Sequence, residues 1–289
     1  MKNLFFSLGF LLIAAHMTMA QPDYDRVIYE FGQWTAEDKT AFVFADISNV
    51  RQSPDVKSEI IGKLPAGTEV TIQEVSSVEY VQQGINSNWI RIKAPSVNGY
   101  IWGGSLTKGV LRLENGNTAM WGLTSIKKVK DEADKVLASI RVVGNGIVQS
   151  KSDFEVLYAD LPDQGYLTLY GAPELDGVQH MIVFETLSEA CGVYASSHYF
   201  LYAEGKLHHA GSGYSMGDGG LLHTSRTFVF PYPMKEGEYR DYHFSPDPGH
   251  VVCIENDGGY DDDCIWVDTR RVSDFTWNGS ALVKSCKAD

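Results

Sequence analysis

The sharpest chemical pattern in this chain is Gly213-Tyr214-Ser215-Met216-Gly217. A serine between glycines at that spacing fits a nucleophile elbow, in which a sharp strand-to-helix turn exposes the hydroxyl. Asp241 or Asp247 with His250 could then act as acid and base. The flanks argue against it. Lys206-Leu207-His208-His209-Ala210-Gly211 is not the apolar strand an elbow needs. Asp218-Gly219-Gly220 is a poor helix start, since an interior glycine costs about 1 kcal/mol relative to alanine. The expectation is a glycine-rich loop between two strands.

Oxygen ligands cluster at Asn256, Asp257 and Asp261-Asp262-Asp263, a composition that suits calcium. Their spacing is not that of a helix-loop-helix calcium site, and a solvated turn is the plainer expectation. The histidines at 180, 198, 208, 209, 223 and 250 show no spacing typical of zinc. His208 and His209 would point to opposite faces of a strand, which is poor for shared coordination. No metal and no cofactor is assigned. The four cysteines are Cys191, Cys253, Cys264 and Cys286. An even number in an exported chain predicts two disulfides. Three pairings are open; Cys253 with Cys264, across a turn at Asp257-Gly258, and Cys191 with Cys286 are favoured.

The elements that must position these groups are strands. Residues 40–108 read as short strands at Ala41 to Asp46, Glu59 to Leu64, Thr68 to Val75, Asn88 to Lys93 and Gly99 to Trp102, with turns at Ser53-Pro54-Asp55, Pro65-Ala66-Gly67 and Asn98-Gly99. Val70 and Ile72 alternate with polar residues, the period of a half-buried strand. Such spacing predicts a small antiparallel barrel. Residues 109–289 continue in the same manner, with strands at Ala119 to Val129, Lys135 to Val143, Gly165 to Leu169, Gln179 to Glu185, Tyr199 to Ala203, Thr227 to Phe230, His250 to Ile254 and Cys264 to Val267. Hairpins are signalled at Glu114 to Asn117 and, most strongly, at Asn278-Gly279. The fold class is therefore all-β: a small barrel, then a larger antiparallel domain built as a sandwich or a propeller-like array.

The ordered run Asn49-Val50-Arg51, Ser53-Pro54, Ile60-Ile61-Gly62, Gly67, Val70, Ile72, Trp89, Ile92 and Gly99-Tyr100-Ile101 resembles the bacterial SH3-like (SH3b) domain family. The resemblance covers residues 41–107. It departs from the family pattern in a longer loop at Ser76 to Asn88, and in Tyr100 and Ser105, where tryptophan and tyrosine are more usual. It implies binding to peptidoglycan or its peptide bridges, or docking within an exported protein, and no catalysis. Tyr80, Trp89, Tyr100 and Trp102 are the candidates for a stacking groove, because aromatic faces suit sugar rings and peptide backbones. Such domains also share chains with cell-wall cysteine peptidases. Ala190-Cys191-Gly192-Val193 with His250 is the nearest approach to that chemistry, and the local match is poor.

Residues 1–20 read as a signal peptide, with Lys2 as the positive region, Leu4 to Ala15 as the apolar region and Thr18-Met19-Ala20 before the cleavage point. Residues 21–39 form a lead-in segment. Cleavage would leave 23 basic against 37 acidic side chains. That balance disfavours nucleic acid and anionic lipid, both of which need a positive surface. No membrane span is expected in the mature chain, and the location is periplasmic or extracellular. The expected protein binds the cell envelope through its SH3-like domain, recognising peptidoglycan or an envelope protein. A cell-wall or ester hydrolase with a catalytic C-terminal domain, and a structural or assembly protein, are the alternatives.

Overall fold

The computed structural model describes residues 29–30, 33–34, 40–130, 134–156, 165–186, 192–218, 221–232, 246–260 and 266–285. The expected signal peptide lies outside them. The described structure is nearly all β and antiparallel throughout.

A two-stranded ribbon, β1 (Tyr29–Glu30) and β2 (Gln33–Trp34), comes first. The next six strands are β3 (Thr40–Phe42), β4 (Ile47–Arg51), β5 (Ile60–Pro65), β6 (Glu69–Gln82), β7 (Ile85–Lys93) and β8 (Asn98–Trp102). They form one curled sheet in the order β3-β6-β7-β8-β4-β5. Alternation dictates its inside. Val50, Val70, Ile72, Ile90, Ile92 and Ile101 point inward and meet Val43 and Leu106 in an aliphatic core. Gly67 supplies the left-handed turn (φ 77°) that starts β6, a conformation L side chains rarely adopt.

The insertion at Ser76 to Asn88 is not a loop. β6 and β7 run on past the barrel as a hairpin arm, closed by a two-residue turn at Gln83 and Gly84, both at positive φ. The arm's tip meets the second half of the chain: Ile126 donates its backbone N–H to the Gln83 carbonyl at 2.9 Å. A Cβ at Gly84 would run into the carbonyl of Ile126.

Four strands follow as a meander, β9 (Gly109–Arg112), β10 (Thr118–Lys127), β11 (Lys135–Gly144) and β12 (Ile147–Glu155). An eight-stranded meander completes the fold: β13 (Tyr166–Tyr170), β14 (Val178–Glu185), β15 (Ala195–Ala203), β16 (Lys206–Asp218), β17 (Leu222–Val229), β18 (His250–Tyr260), β19 (Trp266–Trp277) and β20 (Leu282–Lys284). Trp121, Ile140 and Phe154 of the smaller sheet share one core with Leu167, Ile182, Phe184 and Phe200 of the larger. Of the two expected architectures this is sandwich-like packing, with no repeated four-stranded blades among the described residues. The larger sheet also curls onto its other face. Val251, Phe275 and Trp277 close over Met181, Val183 and Leu201, and the Trp277 indole N–H donates to the Asp176 carbonyl at 3.0 Å.

One expectation fails on the register. Asp257 and Gly258 are not a turn: they lie within β18, opposite Thr269 and Asp268 of β19. The β18–β19 hairpin closes instead at Tyr260 and Trp266. Cys253 is seven residues along β18 from that closing pair, about 23 Å at roughly 3.3 Å per residue. Cys264, its expected partner, lies outside the described residues. Cys253 is a free, buried thiol, pushed above its usual pKa by desolvation. Cys191, Cys264 and Cys286 lie outside the described residues, and the expected bond between Cys191 and Cys286 lies there with them.

Candidate functional site

The outer face of the barrel carries the side chains that β6, β7 and β8 turn away from the aliphatic core. Trp89 and Trp102 are direct cross-strand partners on that face. Tyr80, on the arm, brings its ring centroid to 6.2 Å from Trp89 and 6.4 Å from Trp102. The Trp102 indole N–H donates to the Tyr80 carbonyl at 2.9 Å. Three of the four groove candidates are thus brought together, but not as a groove. Trp89 is 4% and Trp102 9% exposed, and both belong to the core that holds Leu111, Trp121 and Phe184 of the second half. Of the four, the two tryptophans are covered by the chain's own following sheet, and Tyr80 and Tyr100 are half-buried against the same core.

Tyr100 remains. It sits half-buried in a cross-strand row between Arg51 of β4 and Arg91 of β7. Arg51 is fixed from behind, its Nη1 donating to the Ser58 carbonyl at 2.6 Å. Arg91 is about half exposed and stands 4.0 Å from Glu74, too far and too wet for a strong pair. Lys93, exposed, continues the row's basic character one pleat further along β7. Residues 40–108 carry six basic and six acidic side chains, and this aromatic strip gathers three of the six basic ones, Arg51, Arg91 and Lys93, on a chain of net charge −13.

The seam is anchored at a second point, by Arg141 of β11. Its Nη1 donates to the Phe44 carbonyl at 2.7 Å and to Asp46 Oδ1 at 2.9 Å. The guanidinium lies 4.2 Å from the centre of the Phe44 ring. Desolvation lowers its pKa from the usual value, with Asp46 acting in the opposite sense. Phe44 and Ala66 of the barrel pack beside it against Met120 and Val143. Sequence reasoning missed Arg141. The signal was present, as a lone cation inside the apolar run Leu137 to Val143.

The serine of the glycine-flanked motif is mid-strand. Ser215 of β16 opposes Ala195 and Ser225, and its row crosses β18 at Asn256. His250 begins β18, six residues from Asn256, about 20 Å along the strand. No elbow forms, and Ser215 and His250 cannot share a proton. Asp241 lies outside the described residues. Asp257 of the acidic cluster accepts the Thr224 hydroxyl at 2.5 Å and pairs with Arg271 at 3.2 Å. Asp261 to Asp263 lie outside the described residues.

His198 is 1% exposed, between Phe154 and Phe184. Its Nδ1 and the Nε2 of His209 both reach the Ser212 hydroxyl, at 2.8 and 3.1 Å. Desolvation holds the His198 pKa down at about 3 and lowers that of His209 as well. Nothing in the local sequence marks His198, because its apolar cage comes from other strands. His208 faces the opposite way and meets Trp277 edge-on, as adjacent strand residues must.

Residues 45–107 match the family described as Bacterial SH3 domain, and this segment, about a fifth of the chain, is a domain of that class. The remainder matches no recognised family. No curated protein and no solved structure matches the chain. Among the described residues no helix is long and apolar enough to cross a membrane.

Proposed function

We propose that this is an exported protein that binds the bacterial cell envelope, with the barrel as its recognition module and peptidoglycan or an envelope protein as the partner. The observation that carries the reading is the Bacterial SH3 domain match over residues 45–107. Export rests on the apolar segment at residues 1–20. The contact surface is the row of Arg51, Tyr100 and Arg91, which offers a peptide an aromatic face between two guanidiniums. Co-sedimentation of the mature chain with purified sacculi tests it, scored for bound protein and released fragments. The expected result is pelleting without release, with Tyr100→Ala weakening it. Release of soluble fragments would make the second half an enzyme and overturn the binding-only reading.

A second reading is a structural or assembly protein whose barrel serves to dock within its own chain. The burial of Trp89 and Trp102 against the second half favours it. In that case the sacculi leave the protein in the supernatant and Tyr100→Ala changes nothing.

A further inference from the structure

Beyond the sandwich, β16 to β19 run on with side chains exposed or half-buried on both faces. One of these faces carries two polar rows. Ser215, Ser225, Asn256 and Arg270 oppose one another in order across the four strands. The next row is Gly217, His223, Gly258 and Asp268. His223 Nε2 lies 3.6 Å from Asp268 Oδ1 although β18 runs between their strands. They can meet only because the intervening residue has no side chain: a Cβ at Gly258 would collide with both. On the other side of His223, no atom of the described residues lies within 4 Å of where a Cβ on Gly217 would stand. The result is an open cleft of about 320 Å³ lined by Ser215, Gly217, His223 and Ser225, with Val193 at its side; Met216 and Thr224, one residue along, border it through their backbone and turn their side chains to the opposite face. The Asn256 side-chain amide donates to the Ser225 hydroxyl at 3.3 Å and so orients it.

We infer that this glycine-floored cleft is a binding site for a neutral, hydroxyl-rich ligand, a saccharide. Glycine inside a strand marks places where another molecule approaches the backbone closely. The volume falls within the roughly 300–1,000 Å³ of small-ligand sites. The charges bordering the rows, Asp268 and Arg270, are of opposite sign and two residues apart on β19, and so select neither an anion nor a cation. The surrounding segment, residues 109–289, holds 15 basic and 26 acidic side chains and repels anions further. Two hydroxyls and a carboxylate-held imidazole suit sugar hydroxyls, while Val193 suits the C–H face of a ring. The glycine-flanked serine motif is then a binding feature and not a nucleophile.

The natural ligand, a glycan strand, rests on the envelope-binding reading; the cleft itself does not. The test is a calorimetric and NMR titration of the full chain with the N-acetylglucosamine trisaccharide. Binding is expected, with movement of the His223 ring signals. Gly217→Val, which fills the cleft with a residue strands accept, should weaken it by about tenfold or more, and so should Ser215→Ala with His223→Ala. Tyr100→Ala should leave it unchanged. Unchanged urea midpoints establish that the variants fold. Absence of binding, or binding that Gly217→Val leaves intact, overturns the inference. Sacculi that pellet the protein while the trisaccharide is ignored would sink the cleft and keep the proposed function. A Gly217-sensitive trisaccharide site in a protein that ignores sacculi would do the reverse.

Discussion

The barrel and the sheets that follow it are both antiparallel β-structure, and they handle polar groups differently. The barrel's core is entirely aliphatic, residues 40–108 include no histidine, and their charges balance. The second half is strongly acidic, and its interior takes in His198 and the guanidinium of Arg141. Size explains the contrast. A one-layer barrel of six strands has no depth in which an ionisable group could find partners away from water, whereas faced sheets do. The barrel gains its missing burial outward, by giving its two tryptophans to its neighbour's core. The lesson is that the barrel is incomplete as a stable unit at the face where a ligand groove was expected.

The largest test of that contrast is at the shared face. Trp102→Ala should cost the whole chain about 3–5 kcal/mol, read as a lowered urea midpoint in one transition common to both halves. A loss below about 1 kcal/mol, or two separate transitions, would mean the halves stand independently. Acid comes next. The folded pKa of His198 is about 3 against about 6.5 unfolded, so between these values the unfolded chain binds the extra proton. Stability contributed by the neutral ring is complete above about pH 6.5 and falls as pH drops toward 3, by at most about 1.4 kcal/mol per pH unit. His198→Leu should flatten urea midpoints across that window by about one proton; an unchanged slope would refute the assignment. Arg141→Met should cost about 1–3 kcal/mol, because it leaves the buried Phe44 carbonyl without its donor. The smallest effect is expected at Tyr100. Its replacement by alanine should shift the midpoint by under about 1 kcal/mol while affecting partner binding, the reverse of Trp102.

Much of this was legible in the chain. The barrel strands follow from the alternation of Val70 and Ile72 and from Gly67, and the final hairpin sits at Asn278-Gly279, between β19 and β20. Misreadings arose where tertiary context overrode local signals. Asp257-Gly258 has turn chemistry, yet the carboxylate is occupied by Thr224 and Arg271, and the glycine makes room for His223 beside Asp268. β12 escaped notice because it lies exposed along most of its length and has no apolar stripe. β16 escaped because its glycines read as a loop. The burial of the two tryptophans was not legible for a different reason. A sequence shows that Trp89 and Trp102 share a face, but not what lies across it.

The arm built from β6 and β7 has a mechanical consequence. It meets the second half at Gln83, while Arg141 grips the barrel through Phe44 and Asp46. Two separated fastenings remove the swivel that a single linker would leave between joined modules. A pull applied at Tyr100 is therefore shared as shear across both fastenings and the tryptophan contact at once. If the barrel tethers the protein to a wall under tension, the cleft between Ser215 and His223 is presented at a fixed angle to that wall, with no slack to take up first.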